Sequence, residues 1–386
     1  MKITYLIFCF LLLLIFVNSC SRDQEVIIPQ TTDYTINLRW NKAYADETQE
    51  KVETGLLWTF TFLGAKIPSG SFKHSIEWNN TIIKIDLNKI GFNDIALNAF
   101  SKLLPQLKNS EEYKKFNSLD VGRFIMLTLN SSNHYYAITG VSKSFLEVRK
   151  NKNFDAMKMA ITQSTVTLTN RLIEVPDSNF NTVLNMAFIA NECDGSIANG
   201  TQTVYENEIT ELMPNGQFRF AIYDTQNKLL TASNISKTVS GKPAKCLWCH
   251  EINIQSFYTT QTDVPGYYGT DMFKHIVSSN TLTLNNYRNA LKSDIDFNKK
   301  QDHTFAELLY ITFMEPSAER LSLEWNMNIA DVKNKLTALP THTNTEFPYL
   351  GVLYDRKDVD FLSPYEYARV PESAREYSEY EPDLIR

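Results

Sequence analysis

Residues 204–233 leave the backbone few choices. Apolar and β-branched residues alternate with polar ones over 204–213, and Pro214-Asn215-Gly216 follows. A second alternating run covers 217–223 and, after a short polar turn, a third covers 228–233. Alternation of period two is the mark of a half-buried strand, and Pro, Asn and Gly supply the backbone angles of a tight turn. Three strands joined this closely form an antiparallel meander.

Other segments extend the reading. A strand is expected over 34–40, then a helix over 47–63 with Val52, Leu56, Leu57, Phe60 and Leu63 along one side. Residues 82–87 alternate again. Residues 92–107 carry Ile95, Ala99, Leu103 and Leu107 at helical spacing, with Pro105 distorting the last turn. The apolar run 120–129 suits helix or strand. Strands rich in β-branched and aromatic residues are expected over 135–139, 145–149 and 166–175. Strand patterning stops at Ser240-Gly241-Lys242-Pro243, and the segments beyond are mostly helical: 284–296, 305–314, 318–326 and 330–339. Pro316 suits the start of a helix, and 341–386, rich in Pro, Tyr and acidic residues, reads as an extended tail wrapped on the body. The expected class is α+β, with a mixed helical and antiparallel-sheet region at 34–240 followed by a mostly α-helical region at 241–386. After loss of a leader, about 367 residues exceed what single cores usually hold, so two or three domains are expected.

The N-terminus carries Lys2, an uncharged apolar run over 6–17, and then Val17-Asn18-Ser19-Cys20. This is the layout of a signal peptide, and the run is too short to span a bilayer. Val17-Asn18-Ser19-Cys20 resembles the lipobox of bacterial lipoproteins. The resemblance implies that 1–19 is removed and that Cys20 carries a lipid anchor, with 20–33 as a polar tether. Ser21-Arg22-Asp23-Gln24-Glu25 loosely resembles the acidic signals that send some Bacteroidota lipoproteins to the cell surface. The expected address is the outer membrane or periplasmic face of the envelope. Loss of Lys2 takes the formal charge from −6 to −7, and because the acidic residues are spread along the chain, nucleic acid is not an expected partner.

Cleavage discards Cys9 and lipidation consumes Cys20, which leaves Cys193, Cys246 and Cys249 as thiols. The last two belong to Cys246-Leu247-Trp248-Cys249-His250. With 5 Cys and 6 His in 386 residues, this pattern arises by chance on the order of one time in a thousand. Thiols three residues apart can bond both vinyl groups of one haem, and the next residue's imidazole is then held against the iron. The pentapeptide together with the export signal resembles a monohaem c-type cytochrome lipoprotein. The resemblance covers those two features and not the whole chain. It implies one covalent haem c on Cys246 and Cys249, with His250 as proximal iron ligand. In the small-cytochrome pattern a methionine loop and a last helix follow, and Met314-Glu315-Pro316 occupies that place, so Met314 is the first choice for the distal ligand. Met314 also suits an apolar helix face as core filler, and Met272, His275, Met327, His303 and His342 are alternatives. Glu251 reads as an exposed acid at a helix start or as an orienting partner of His250.

Beside haem stand a plain structural disulfide, geometrically awkward across so short a loop, and two further readings of the motif. One is a redox-active dithiol, although no βαβ alternation surrounds it; the other is a zinc site, which needs two further ligands. Cys193 reads as a small buried hydrophobe, His134 as a packing residue with a hydrogen bond, and Asp355-Arg356-Lys357-Asp358 as a solvated face. No hydrolase, kinase or calcium-loop signature is present. The expected function is single-electron transfer with envelope redox partner proteins, an electron carrier more than an enzyme. A surface binding or scaffold lipoprotein with an accessory haem, and a haem enzyme with an open distal position, are the alternatives.

Overall fold

The computed structural model describes residues 33–177, 182–250, 253–255 and 261–386. Cys20, Glu251 and nearly all of the tether lie outside them. The described chain opens with strand β1 (Thr35–Arg39), helix α1 (Gln49–Phe62), the single turn α2 (Ser71–Ser75) and the hairpin β2 (Ile76–Asn79) and β3 (Ile82–Asp86). Asn80, at φ 55°, makes the hairpin turn. Helices α3 (Asp94–Asn109) and α4 (Glu111–Phe116), the two-residue strand β4 (Leu119–Asp120), and helices α5 (Val121–Thr128), α6 (Ser132–Thr139) and α7 (Phe145–Asn151) follow. The first sheet has the order β2-β3-β1-β4, with β4 parallel to β1.

The caps are written locally. Asn93 accepts the Ala96 amide at 2.9 Å to start α3, and Asp120 accepts the Gly122 amide at 2.8 Å to start α5. Pro105 sits inside α3, whose last turn continues to Asn109.

The second sheet is a six-stranded antiparallel run of β5 (Phe154–Ile161), β6 (Asn170–Pro176), β7 (Ala187–Asp194), β8 (Thr203–Leu212), β9 (Phe218–Asp224) and β10 (Leu229–Leu230). The meander expected at 204–233 is its β8-β9-β10 portion, although only two residues of the last strand pair. Helices α8 (Pro243–His250), α9 (Thr270–Ala290), α10 (Thr304–Met314), α11 (Ala318–Trp325), α12 (Ile329–Leu336) and the short α13 (Arg356–Asp360) complete the chain. The fold class is α+β, as expected.

Two expected strands are helices. Residues 135–139 belong to α6 and 145–149 to α7. In α6, His134, Tyr135, Tyr136, Ile138 and Thr139 are all buried. A short helix enclosed on most sides carries the aromatic and β-branched content of a buried strand, and eight residues are too few for its period to show. The expected 166–175 strand begins only at Asn170, because Val166 and Leu168 pair instead with the loop at 237–239. The helix expected to begin at 284 begins at Thr270.

Residues Tyr34–Arg386 cluster as one compact unit, and a continuous apolar core runs from Ile36 to Val370. Helix α10 joins the two halves by packing on α1 and α5. The tail after 341 is mostly irregular and packs on the body: Val370 is 6 % exposed and Arg356 is 2 % exposed. Among the described residues no helix is long and apolar enough to cross a membrane.

Candidate functional site

The Cys246-Leu247-Trp248-Cys249-His250 segment is the body of α8. Gly241, at φ 66°, leads into it, and a Cβ there would collide with the Arg375 carbonyl oxygen. Pro243 then occupies the first helical position, where its missing amide costs nothing. Buried Lys242 fixes the helix start: its backbone amide donates to the Arg375 carbonyl at 2.8 Å, and its Nζ donates to Glu381 at 2.9 Å and to the Ser373 carbonyl at 3.0 Å. Farther along, the Arg375 guanidinium lies over the Trp248 ring at 4.3 Å, and Lys245 pairs with Glu376. The C-terminal tail therefore straps α8 from outside while α8 packs on β9 from inside.

Positions four apart share a helix face, so Cys246 and His250 point the same way. Both line a cavity of about 100 Å³ between α8, the inner face of the large sheet and α9. Ile161, Ile173, Phe188, Ala190 and Phe220 come from the sheet, and Phe273 and Val277 from α9. The His250 ring stacks on Phe220 with centroids 5.2 Å apart and planes at 29°. Burial, aided by the Arg171 charge and countered by a backbone hydrogen bond to Asn253, pushes the His250 imidazole down to about 4. It is therefore neutral near pH 7, the form that ligates a metal. Burial, with Glu208 and Cys249 beside it, pushes the Cys246 thiol well up. Cys249 is half-buried one turn on, and among the described residues Cys193, Cys246 and Cys249 form no disulfide.

One part of the wall is polar. Arg171 and Glu208 line the cavity; the Arg171 Nη2 donates to Glu208 at 2.7 Å, and its Nε donates to Glu192. Sequence reading missed these residues for a physical reason. Glu206 and Glu208 alternate along β8 as solvent-facing residues of a half-buried strand do, and only the helices laid over this face turn it inward.

The residues present suit a covalent haem: two thiols on one helical turn, a neutral imidazole on the same face, and an apolar cavity in front of them. Met314 is not brought to this cavity. It lies half-buried at the end of α10 and lines a separate cleft with Tyr310, Glu315 and Arg375. Met272 is 52 % exposed, His275 is exposed, and Met327 packs beside the small Leu321–Trp325 core. His303 bonds Glu307 at 3.1 Å, and His342 bonds Glu315 at 3.0 Å. Among the described lining residues His250 is the only His, and none is Met. Trp248 lies under Arg375 and is not among the lining residues.

Among the described residues no three of His, Cys, Asp and Glu gather as a metal-holding group. Cys193 is fully buried in a small core with Leu172 and Ile197. The mixed-charge run at 355–358 is not uniformly solvated, because Arg356 points inward to Glu324.

No protein-family model, no curated protein and no solved structure matches the chain.

Proposed function

We propose that this chain is an envelope-anchored c-type haem lipoprotein that transfers single electrons. The observation that carries the reading is the placement of Cys246 and His250 on one face of α8 against an apolar cavity, with Cys249 one turn on. Cys246 and Cys249 would hold the haem by thioethers and His250 would ligate its iron. Bound there, the group supplies a one-electron couple. The chain's own part is to fix and shield it. Phe220 orients the imidazole by stacking, burial keeps that imidazole deprotonated, and Ile173, Phe188 and Phe273 exclude water. The raised Cys246 thiol argues against dithiol exchange, which needs a thiolate.

The test is a haem stain after denaturing electrophoresis of protein made together with a haem-attachment system. A stained band in the wild type, lost when Cys246→Ala and Cys249→Ala are combined, supports the reading; an unstained wild type overturns it. The anchor rests on Val17-Asn18-Ser19-Cys20 alone. Incorporation of labelled fatty acid, abolished in Cys20→Ala, is its check.

A further inference from the structure

Beneath the cavity, four cross-strand neighbours form a row across the large sheet: Arg171 faces Glu192, Glu192 faces Glu206, and Glu206 faces Asp224. Glu208, two residues along β8 on the same face, lies at the cavity wall. Arg171 is 7 % exposed, Glu192 0 % and Glu206 2 %. The single guanidinium bonds one oxygen of Glu192 and one of Glu208, and the Asn234 amide donates to Glu206 at 3.0 Å. The other oxygens, Glu192 Oε2, Glu206 Oε1 and Glu208 Oε1, are buried and accept no hydrogen bond among the described residues.

Two buried carboxylates, Glu192 and Glu206, and the partly buried Glu208 thus share one cation. A buried charge without a partner is costly, and the cheapest remedy is a proton. Burial first, and then the Glu208 charge, pushes the Glu192 carboxyl up, against the pull of Arg171. Burial and Glu208 likewise push Glu206 up to about 8. The other titratable groups around this set are Cys193 on β7, Tyr205 on β8, Asp224 on β9, and the Cys246 thiol and His250 imidazole on α8.

We propose that Glu192, Glu206 and Glu208 take up one proton from solvent when a haem held at Cys246, Cys249 and His250 gains one electron, and release it on oxidation. This rests on the haem reading above. The electron comes from a single-electron donor protein, and the proton from water. One carboxylate O–H bond forms as one O–H bond of a solvent hydronium ion breaks and leaves water, and with the added electron the net charge of the buried site is unchanged. The physical cause is that a negative charge added next to Glu208, in a medium that screens poorly, raises the energy of every ionised carboxylate behind it. The acid excess also favours the oxidised state of whatever occupies the cavity.

The experiment is a potentiometric titration of the haem-loaded protein from about pH 6 to about pH 10, with haem staining run on the same sample. The midpoint potential is expected to fall by about 59 mV per pH unit around pH 8, one proton per electron. Glu206→Gln retains an acceptor for the Asn234 amide and is expected to flatten the slope. Glu192→Gln is expected to act likewise while leaving Glu208 on Arg171. A wild type without haem overturns this proposal together with the haem reading. A stained protein whose potential does not change with pH overturns the proposal alone. A slope that survives in both variants, each folded by circular dichroism, overturns the assignment to these carboxylates.

Discussion

The backbone amide of Leu384 donates to Nε2 of His134 at 2.8 Å, and the Nδ1 of the same ring meets the Leu127 carbonyl at 2.6 Å. Nδ1 must donate and Nε2 must accept, so the ring is a single neutral tautomer. Glu381, three residues earlier, holds the Ser132 amide and the Lys242 ammonium, so the same tail segment secures α6 and the start of α8.

Acid should loosen this strap. Burial, opposed by the Leu127 carbonyl and Asp383, holds His134 below the ordinary value of 6.5. The folded state therefore binds fewer protons than the unfolded one. The stabilisation is complete above pH 6.5 and declines as pH falls toward the lowered folded value. Hydrogen exchange at the Leu384 amide reads this directly: its protection factor is expected to fall with acidification below pH 6.5. A constant protection factor down to about pH 5 sinks the idea.

Removing one buried charge should cost far more. Glu324 is fully buried, accepts from Arg356 at 2.8 and 3.0 Å, pairs with Arg320, and lies 3.6 Å from Arg123. Burial would raise its carboxyl, but the three guanidiniums hold it well below the usual carboxylate range. Those guanidiniums also surround the Phe313 ring, at 4.8 Å for Arg123, 5.3 Å for Arg320 and 3.9 Å for Arg356. Glu324→Gln leaves buried cations short of an anion, which costs about 3 to 5 kcal/mol. Urea unfolding should show it as a lower midpoint at unchanged slope. A loss below about 1 kcal/mol is the result that contradicts a tightly shared anion.

At Gly55 two effects oppose each other. Alanine in a helix interior gains about 1 kcal/mol over glycine. A Cβ at Gly55, however, would lie 2.7 Å from the Phe305 carbonyl oxygen and 2.7 Å from Leu309 Cδ1, where α1 crosses α10. Overpacking against backbone costs about 1 to 3 kcal/mol, so Gly55→Ala is expected to lower Tm. A raised Tm would mean that the helices can move apart and that propensity wins.

Met314 provides a spectroscopic control. Because it lines the cleft with Glu315 and Arg375, and not the cavity of His250, Met314→Ala in haem-loaded protein should leave the visible spectrum and carbon monoxide binding as in the wild type. His250→Ala should change both. A spectrum altered by Met314→Ala reinstates Met314 as the distal ligand.

Much of the architecture was legible where periodicity is long or turn chemistry strong. The β8–β9 pair follows from alternation around Pro214-Asn215-Gly216, and Tyr287 and Arg288 of α9 then bond the carbonyls of Pro214 and Gly216. Helices α1, α3 and α10 follow from apolar spacing. Short buried elements were not legible: α6 and α7 have strand-like composition, and one or two turns offer too little period to overrule it.

At the candidate site, the proposed covalent attachment would rest on five consecutive residues. Cys246, Cys249 and His250 are brought together by the helical repeat alone, so the sequence by itself determined which side chains share that turn, as well as the α+β class and the meander. What surrounds them was decided by tertiary structure. The cavity wall comes from five strands and α9, the Arg171, Glu192, Glu206 and Glu208 group from three separate strands, and the Arg375 and Glu381 strap from more than 120 residues downstream. The physical reason is reach. A local spacing can state which residues lie on one helix face, but burial, and with it the protonation of His250 and Glu206, depends on which distant surfaces exclude water from that face.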